Sequence, residues 1–394
     1  MRLAANYVFP ITSAPIKNGY VDFADDGTVI GTGILEKETA GTAFYNGIIV
    51  PGFTNAHSHI ELSHLKGKFR EATGMSGFID QINALRECAP REERLKMMQE
   101  EYDRLYREGV SAICDISNCD ESFGMKAASP IYSRTYVEVF GSEPEDAAGV
   151  IQGARKIVAK ALDAGLDAAI TPHSPYTMSP ELLTMAAAEG LKDGYISYHN
   201  QESAEEDDMI GFRRGPLYEN YRNRSLSTPE PTGKPAIFHF LDRIGKIHPQ
   251  PFTESILMVH NTVTTEECVD AAESVLKNCT WVTCPLSNIF IHRQIADLNM
   301  LHRKGVRIAV GTDSLSSNHI LSMVEEIKCI QKHFQDITLE TILEWVCLNG
   351  ASALGKDGIL GSFEAGKRPG AVLIDSIDFN RMKLTEKSTS KRLL

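Results

Sequence analysis

Two histidines one residue apart, His57 and His59, close the run IIVPGFTNAHSHIEL. In a β-strand, residues two apart face the same way. Both imidazoles are therefore delivered to one side, where an apolar strand gives way to a polar loop. Four later apolar runs also end in ionisable residues: ITPHSPY with His173, SYHNQE with His199 and Glu202, MVHNT with His260, and AVGTDS with Asp313. Catalytic zinc takes His nitrogen and carboxylate oxygen and keeps one position for water. On residue type we assign His57, His59, His199 and Asp313 as ligands of one divalent metal ion, with zinc the first choice and iron the alternative. Such an ion lowers the pKa of water to about 7.

Glu202, three residues past His199, is placed to take the water proton and hand it to a leaving nitrogen, an effect of roughly 10²–10⁴ in rate. Asp313 is a second proton acceptor, and His260 suits a developing oxyanion. His173, Glu61 and Ser314 are assigned to substrate. Glu61 continues the alternation of His57 and His59, and bracing a loop is an equal alternative for it. A lone histidine at a strand end is most often structural, but five such strand ends are hard to reach by accident. His64, His239, His248, His292, His302, His319 and His333 lack that placement and are expected on surfaces or helices. The acidic run Glu205, Glu206, Asp207 and Asp208 reads as a solvated lid edge. The third and fourth strand ends offer Glu138 and His173 but no bridging lysine, so one metal is expected rather than two.

The elements that must position these residues follow from the pattern around them. Eight short apolar runs, 48–57, 110–116, 132–140, 167–172, 195–199, 256–260, 280–284 and 306–311, alternate with helical periods. Ser179-Pro180 reads as a helix start, Thr264 with Glu267 as a capping box, and Gly165, Gly190 and Gly305 as helix stops. Alternating strands and helices imply parallel β/α units, and eight of them fit a closed barrel with chemistry at the C-terminal strand ends. Long gaps after the first and fifth strands predict extra helix over SGFIDQINALRE and a substrate lid or wall within 199–260. Both chain ends are rich in short β runs and turn signals. The expectation is an α/β fold: a (β/α)8 TIM-type barrel over 51–355, with a small β-sandwich domain built from 1–50 and 356–394.

Composition narrows the function. Among 394 residues, 52 acidic side chains stand against 40 basic ones. With no Lys/Arg block, nucleic-acid and acidic-membrane partners are disfavoured. The expected partner is a small-molecule substrate, and a homodimer is the assembly allowed for. The eight cysteines form no CxxC pair and read as small buried hydrophobes of a reduced cytoplasmic protein. MRLAANYVFPITSAP lacks a secretory signal pattern, and no apolar stretch is long enough for a membrane span.

These residues resemble the amidohydrolase superfamily, in its deaminase and chlorohydrolase branch. PGFTNAHSHIELS is similar to that family's first-strand motif, and HNQES to its His-x-x-Glu element. TCPLSN, GVRIAVGTDS and LGSFEAGKRPGAVLID resemble its later motifs. NAHSHIELSHLKG is similar to aminodeoxyfutalosine deaminases of menaquinone biosynthesis. The resemblance implies the ligand set above, Glu202 as proton shuttle, His260 near the attacked carbon and His173 in substrate recognition. Leu286 and Ser203 depart from residues common in relatives, which puts the substrate rather than the chemistry in question. The expected activity is hydrolytic deamination of an amino-substituted heterocycle, a purine or purine-nucleoside derivative of aminodeoxyfutalosine, adenosine or guanine type. The alternative is hydrolytic loss of chloride or an alkylamine, as in triazine hydrolases. A minor alternative is an inactive barrel that only binds, against which the intact ligand set and Glu202 argue.

Overall fold

In the computed structural model, residues 1–37 and 40–394 are described; the expected first segment, 1–50, includes residues 38–39, which lie outside them. Four strands open the chain: β1 (Arg2–Val8), β2 (Ile16–Phe23), β3 (Val29–Ile34) and β4 (Thr42–Pro51). Eight more follow: β5 (Phe53–Ser58), β6 (Val110–Ser117), β7 (Tyr132–Val139), β8 (Asp167–Pro172), β9 (Tyr195–Asn200), β10 (Ser255–His260), β11 (Cys279–Thr283) and β12 (Ile308–Val310). The tail holds β13 (Ala371–Ile374), β14 (Ile377–Asp378), β15 (Lys383–Leu384) and β16 (Ser390–Arg392).

Strands β5 to β8 form one parallel sheet in sequence order, and β9 to β12 form another. Their outer edges meet. Ser58 bridges Asp313 in parallel sense, and Thr312 N and Asp313 N each donate to His57 O at 3.0 Å. At the other edge, Ser197 N donates to Thr171 Oγ1 at 2.8 Å and His199 N to His173 O at 2.9 Å. These strands are buried on both faces, as parallel sheets require. Alternate residues part to opposite sides: Ile113, Ile256 and Met258 pack in one core with the helices, while Ala112, Cys114, Leu257 and Val259 pack in a second. This is the TIM-type α/β arrangement that eight strand–helix units predict.

Three local expectations need correction. The run 48–57 is two strands, because β4 ends at Pro51 and pairs with β1 and β13 instead. The break falls at Gly52, where a Cβ would lie 1.9 Å from Ser111 Oγ. The capping box shifts by one residue: Thr265 accepts from Cys268 N, while Thr264 Oγ1 donates to Gln201 Oε1 at 3.0 Å. Gly190 lies inside the Pro180–Asp193 helix, which Gly194 closes at φ 88°. At Gly190 a Cβ would meet Tyr195 O at 2.7 Å, so close helix–strand packing, not termination, explains that glycine. Ser179 caps the same helix as expected, accepting from Leu182 N at 3.2 Å.

Both chain ends share one six-stranded sheet, in the order β16-β13-β4-β1-β2-β3, and β14 with β15 makes a separate ribbon. Arg392 ties this sheet to the Arg91–Glu108 helix and to β6, donating to Tyr106 O at 2.9 Å and Val110 O at 2.8 Å. The long gaps hold helices: Gly74–Leu85 and Arg91–Glu108 in the first, Ala204–Phe212, Gly215–Asn223 and Ala236–Ile244 in the second. All eight cysteines are free, and all but Cys88 and Cys119 are buried. Among the described residues, no helix is long and apolar enough to cross a membrane.

A buried ion pair anchors the loop that carries His59. Lys126 Nζ lies 2.5 Å from Asp115 Oδ2, both side chains fully buried, and Asp115 Oδ1 accepts from Ile60 N at 2.9 Å. Lys126→Met strands one charge of that pair, so stability to urea should fall by about 3–5 kcal/mol. An unchanged unfolding midpoint would refute the anchor.

Candidate metal centre and active site

His57 ends β5, His199 ends β9, His260 ends β10 and Asp313 follows β12. Parallel strands bring these ends to one rim. His59 Nε2 lies 3.1 Å from His57 Nε2 and 3.3 Å from His199 Nε2. Asp313 Oδ1 lies 3.9 Å from His57 Nε2 and 3.6 Å from His59 Nε2. Ligand atoms of His57, His59 and Asp313 all fall within 4.8 Å of one another, as do those of His57, His199 and His260. Burial lowers the pKa of all three proposed ligand imidazoles, His57 and His199 well below the usual value, and neighbouring histidines lower these two further. Neutral rings turn lone pairs, not charges, toward their common centre. Three such nitrogens beside one carboxylate oxygen match a divalent cation of the zinc type.

Asp313 is held ready for that role. Its Oδ2 accepts from Ser287 Oγ at 2.6 Å and Ser317 Oγ at 2.7 Å, leaving Oδ1 toward the histidines. Asp313 has φ 55° and His260 φ 75°, backbone that non-glycine residues hold only where surroundings enforce it. Two residues before Asp313, the chain passes so close to β5 that a Cβ on Gly311 would sit 2.8 Å from the backbone N and O of His57.

Glu202 is buried, with Oε1 3.8 Å from His260 Nε2. Burial raises its pKa to about 7, so it can both accept and return a proton near neutral pH. Asn288 Nδ2 donates to His260 Nδ1 at 3.2 Å, which leaves the proton of the neutral ring on Nε2, facing Glu202. The turn carrying Glu202 is held by Glu206, whose carboxylate accepts from Gln201 N at 2.7 Å and Glu202 N at 3.0 Å. The acidic run is thus no solvated edge. Glu206 is fully buried, Glu205 accepts from Met75 N and Ser76 N, and Asp207 accepts from Ala236 N. Open backbone donors at turns and helix starts draw these carboxylates inward.

A cavity of about 610 Å³ reaches these groups, lined by His59, His199, Glu202, His260 and Asp313. Its size is that of a small-molecule site. His173 and Ser314 also line it, together with an apolar wall that includes Phe78, Ile79, Phe140 and Tyr176. His173 Nδ1 is engaged by Thr177 Oγ1 at 2.7 Å and Ser174 Oγ at 2.8 Å. Glu61 is absent from that lining. Its Oε2 accepts from Asn118 N at 2.9 Å, the loop-bracing role.

Three residues near the chemistry escaped the sequence. Glu138, near the end of β7, has Oε1 3.6 Å from His199 Nδ1 and 3.8 Å from His173 Nε2, with no hydrogen-bond partner; as a third-strand carboxylate it was visible, but only as a missing lysine. Arg86 lines the cavity and donates to Asn118 Oδ1 at 2.7 Å. His292, expected on a surface or helix, does end a helix, yet its Nε2 is buried 3.9 Å from Glu202 Oε1. His64 and His239 are buried as well. Helical periodicity alone carries no signal for such inward histidines.

The amidohydrolase family profile matches residues 48–391. Adenosine deaminase of Helicobacter pylori is 27% identical over 337 residues, 82% of this chain and 78% of that one. Among solved structures, Helicobacter pylori aminofutalosine deaminase in complex with methylthio-coformycin has a TM-score of 0.79 at 22% identity, with 100% of both chains covered. An adenosine deaminase from Xanthomonas campestris with bound zinc has a TM-score of 0.72 at 19% identity, covering 95% of this chain and 84% of that one.

The close approach at Gly311 yields a test. Gly311→Ala should push His57 out of place and lower metal content, measured by elemental analysis after dialysis. Full occupancy in that variant would show that this contact does not position the site.

Proposed function

Because the chain belongs to the amidohydrolase family, we propose that it is a metal-dependent hydrolase that deaminates a cyclic amidine, with a purine or purine-nucleoside derivative as substrate. The observation that carries this reading is the convergence of His57, His59, His199 and Asp313 on one centre, at a cavity also lined by a buried Glu202 whose pKa is raised to about 7. Those four residues would hold one divalent ion, zinc before iron; zinc is the ion in the Xanthomonas campestris structure. When bound, the ion makes a water acidic enough to supply a nucleophile at neutral pH.

The chain's own residues then do the rest. Glu202 takes a proton from the attacking water and delivers it to the substrate. His260, with its proton on Nε2, hydrogen-bonds the oxygen developing at the attacked carbon. Asp313 accepts the second proton. Carbon–oxygen bond formation and carbon–nitrogen cleavage release ammonia, with the water's hydrogens ending on the ring nitrogen and the departing nitrogen. His173, oriented by Ser174 and Thr177, and Ser314 contact the heterocycle, while the apolar wall takes its substituents. Aminodeoxyfutalosine, adenosine and guanine are the substrate types this reading favours, in keeping with the deaminases it resembles. On the same reading, the two four-stranded sheets are halves of one closed barrel over 51–355. The terminal strands of 1–50 and 356–394 are its β-sandwich companion.

The deciding experiment is ammonia release by zinc-loaded protein from adenosine, 5′-methylthioadenosine, aminodeoxyfutalosine and guanine. Chloride or alkylamine released from triazines, with no ammonia from this panel, would favour the other leaving group. Binding with no conversion over hours would favour a binding protein. Glu202→Gln should keep its metal while kcat falls roughly 10²–10⁴-fold; an active variant overturns the proton role. His199→Ala should lower metal content and rate together, and full metal occupancy would remove it from the ligand set.

A further inference from the structure

Glu202 faces a second histidine that the reaction as derived leaves idle. His292 ends the Pro285–His292 helix. Its side chain is 8% exposed, and its Nε2 is buried with no hydrogen-bond partner, 3.9 Å from Glu202 Oε1. Among the described residues, Glu202 is the one carboxyl within 4.0 Å of that ring. A gap of this length between two polar atoms is spanned by one water or a small side-chain rotation.

The same ring lines a second pocket of about 270 Å³, which shares no lining residue with the substrate cavity. Ala72, Arg293 and Gln294 on its wall are exposed, so it opens to solvent. Glu202 lines the main cavity, and His292 lies between it and a separate pocket open to solvent. Imidazole suits that position, since one ring nitrogen can accept a proton as the other gives one up.

We propose that His292 is a proton relay between Glu202 and solvent, operating through the second pocket while substrate fills the main cavity. The inference rests on the deaminase reading. Hydrolysis adds the water oxygen to carbon and breaks the carbon–nitrogen bond, and both water hydrogens stay with the products. Ammonia is a stronger base than imidazole, so at neutral pH it leaves as ammonium after taking one further proton. That proton enters from a buffer acid at Nδ1 of His292. The Nε2 proton passes to Glu202, and Glu202 passes its own to the departing nitrogen.

The surroundings agree with this role. Burial lowers His292 to about 4, with Glu205 opposing that shift, so the ring is neutral between transfers. Glu205, on the Ala204–Phe212 helix, is engaged by Met75 N and Ser76 N. Arg293 is paired with Glu71 at 2.7 Å. His260 Nε2 also faces Glu202 Oε1, at 3.8 Å, and the nearby Asp313 carboxylate adds to the rise in the Glu202 pKa.

Two measurements test the relay. In zinc-loaded protein, ¹⁵N NMR of His292 should show an inflection that follows the titration of Glu202 and vanishes in Glu202→Gln; identical profiles in the two proteins would overturn the pairing. In weak buffer, His292→Ala should lower kcat roughly tenfold or more with KM little changed, and added imidazole should restore it through the second pocket. His292→Gln, which keeps the volume and an amide, should lose kcat as well. Undiminished kcat in His292→Ala, a loss that imidazole leaves untouched, or full activity in His292→Gln would each overturn the relay. Should the wild type release no ammonia from any panel compound, the deaminase reading fails, and the NMR comparison alone decides whether His292 serves Glu202.

Discussion

The site depends on one backbone junction, where β5 meets the segment after β12. Thr312 N and Asp313 N both donate to His57 O. That pairing sets His57 and Asp313, two proposed ligands far apart in the chain, against each other before any side chain chooses a rotamer. It works only because Gly311 has no Cβ and because Asp313 accepts a left-handed backbone. The carboxylate is then held by Ser287 and Ser317. Preorganisation of this kind keeps donor atoms near a productive geometry without reorganisation at the moment of reaction.

Much of this arrangement was legible in the chain. Strand ends are where parallel α/β folds gather chemistry, so the ionisable residue closing each apolar run could be named before its neighbours were known. His57, His59, His199, His260 and Asp313 come together for that reason. The short continuous apolar runs also marked the strands of a parallel sheet. Boundaries were less legible. Gly52 divides one apolar run into two strands that serve different sheets; Pro51-Gly52 was the breaker signal there, masked by apolar residues on both sides. Gly190 shows the same limit, since a glycine needed for close packing is spelled like one that stops a helix.

The inward polar residues were least legible, because partners decide their roles. Glu206 sits in an acidic run that would be solvated on an ordinary surface helix. Here the tight turn after β9 leaves the N–H groups of Gln201 and Glu202 without partners, and the side chain folds back to meet them. Burial then raises its pKa well above the usual carboxylate range. Glu61 and Asn118 interlock similarly one loop away. The Glu202 carboxyl is thus carried on a turn supported by another carboxyl, a dependence that spacing along the chain does not reveal.

The terminal sheet has a consequence for how the chain is made. Strand β4 lies between β1 and β13, so one of its edges has no partner until residues 371–374 have been made. An open strand edge is a template for pairing with other chains, and domains generally fold in the order of synthesis. The nascent polypeptide therefore carries a sticky flank while β5 to β12 are being made. Sealing it falls to β13, more than 300 residues after β4 begins.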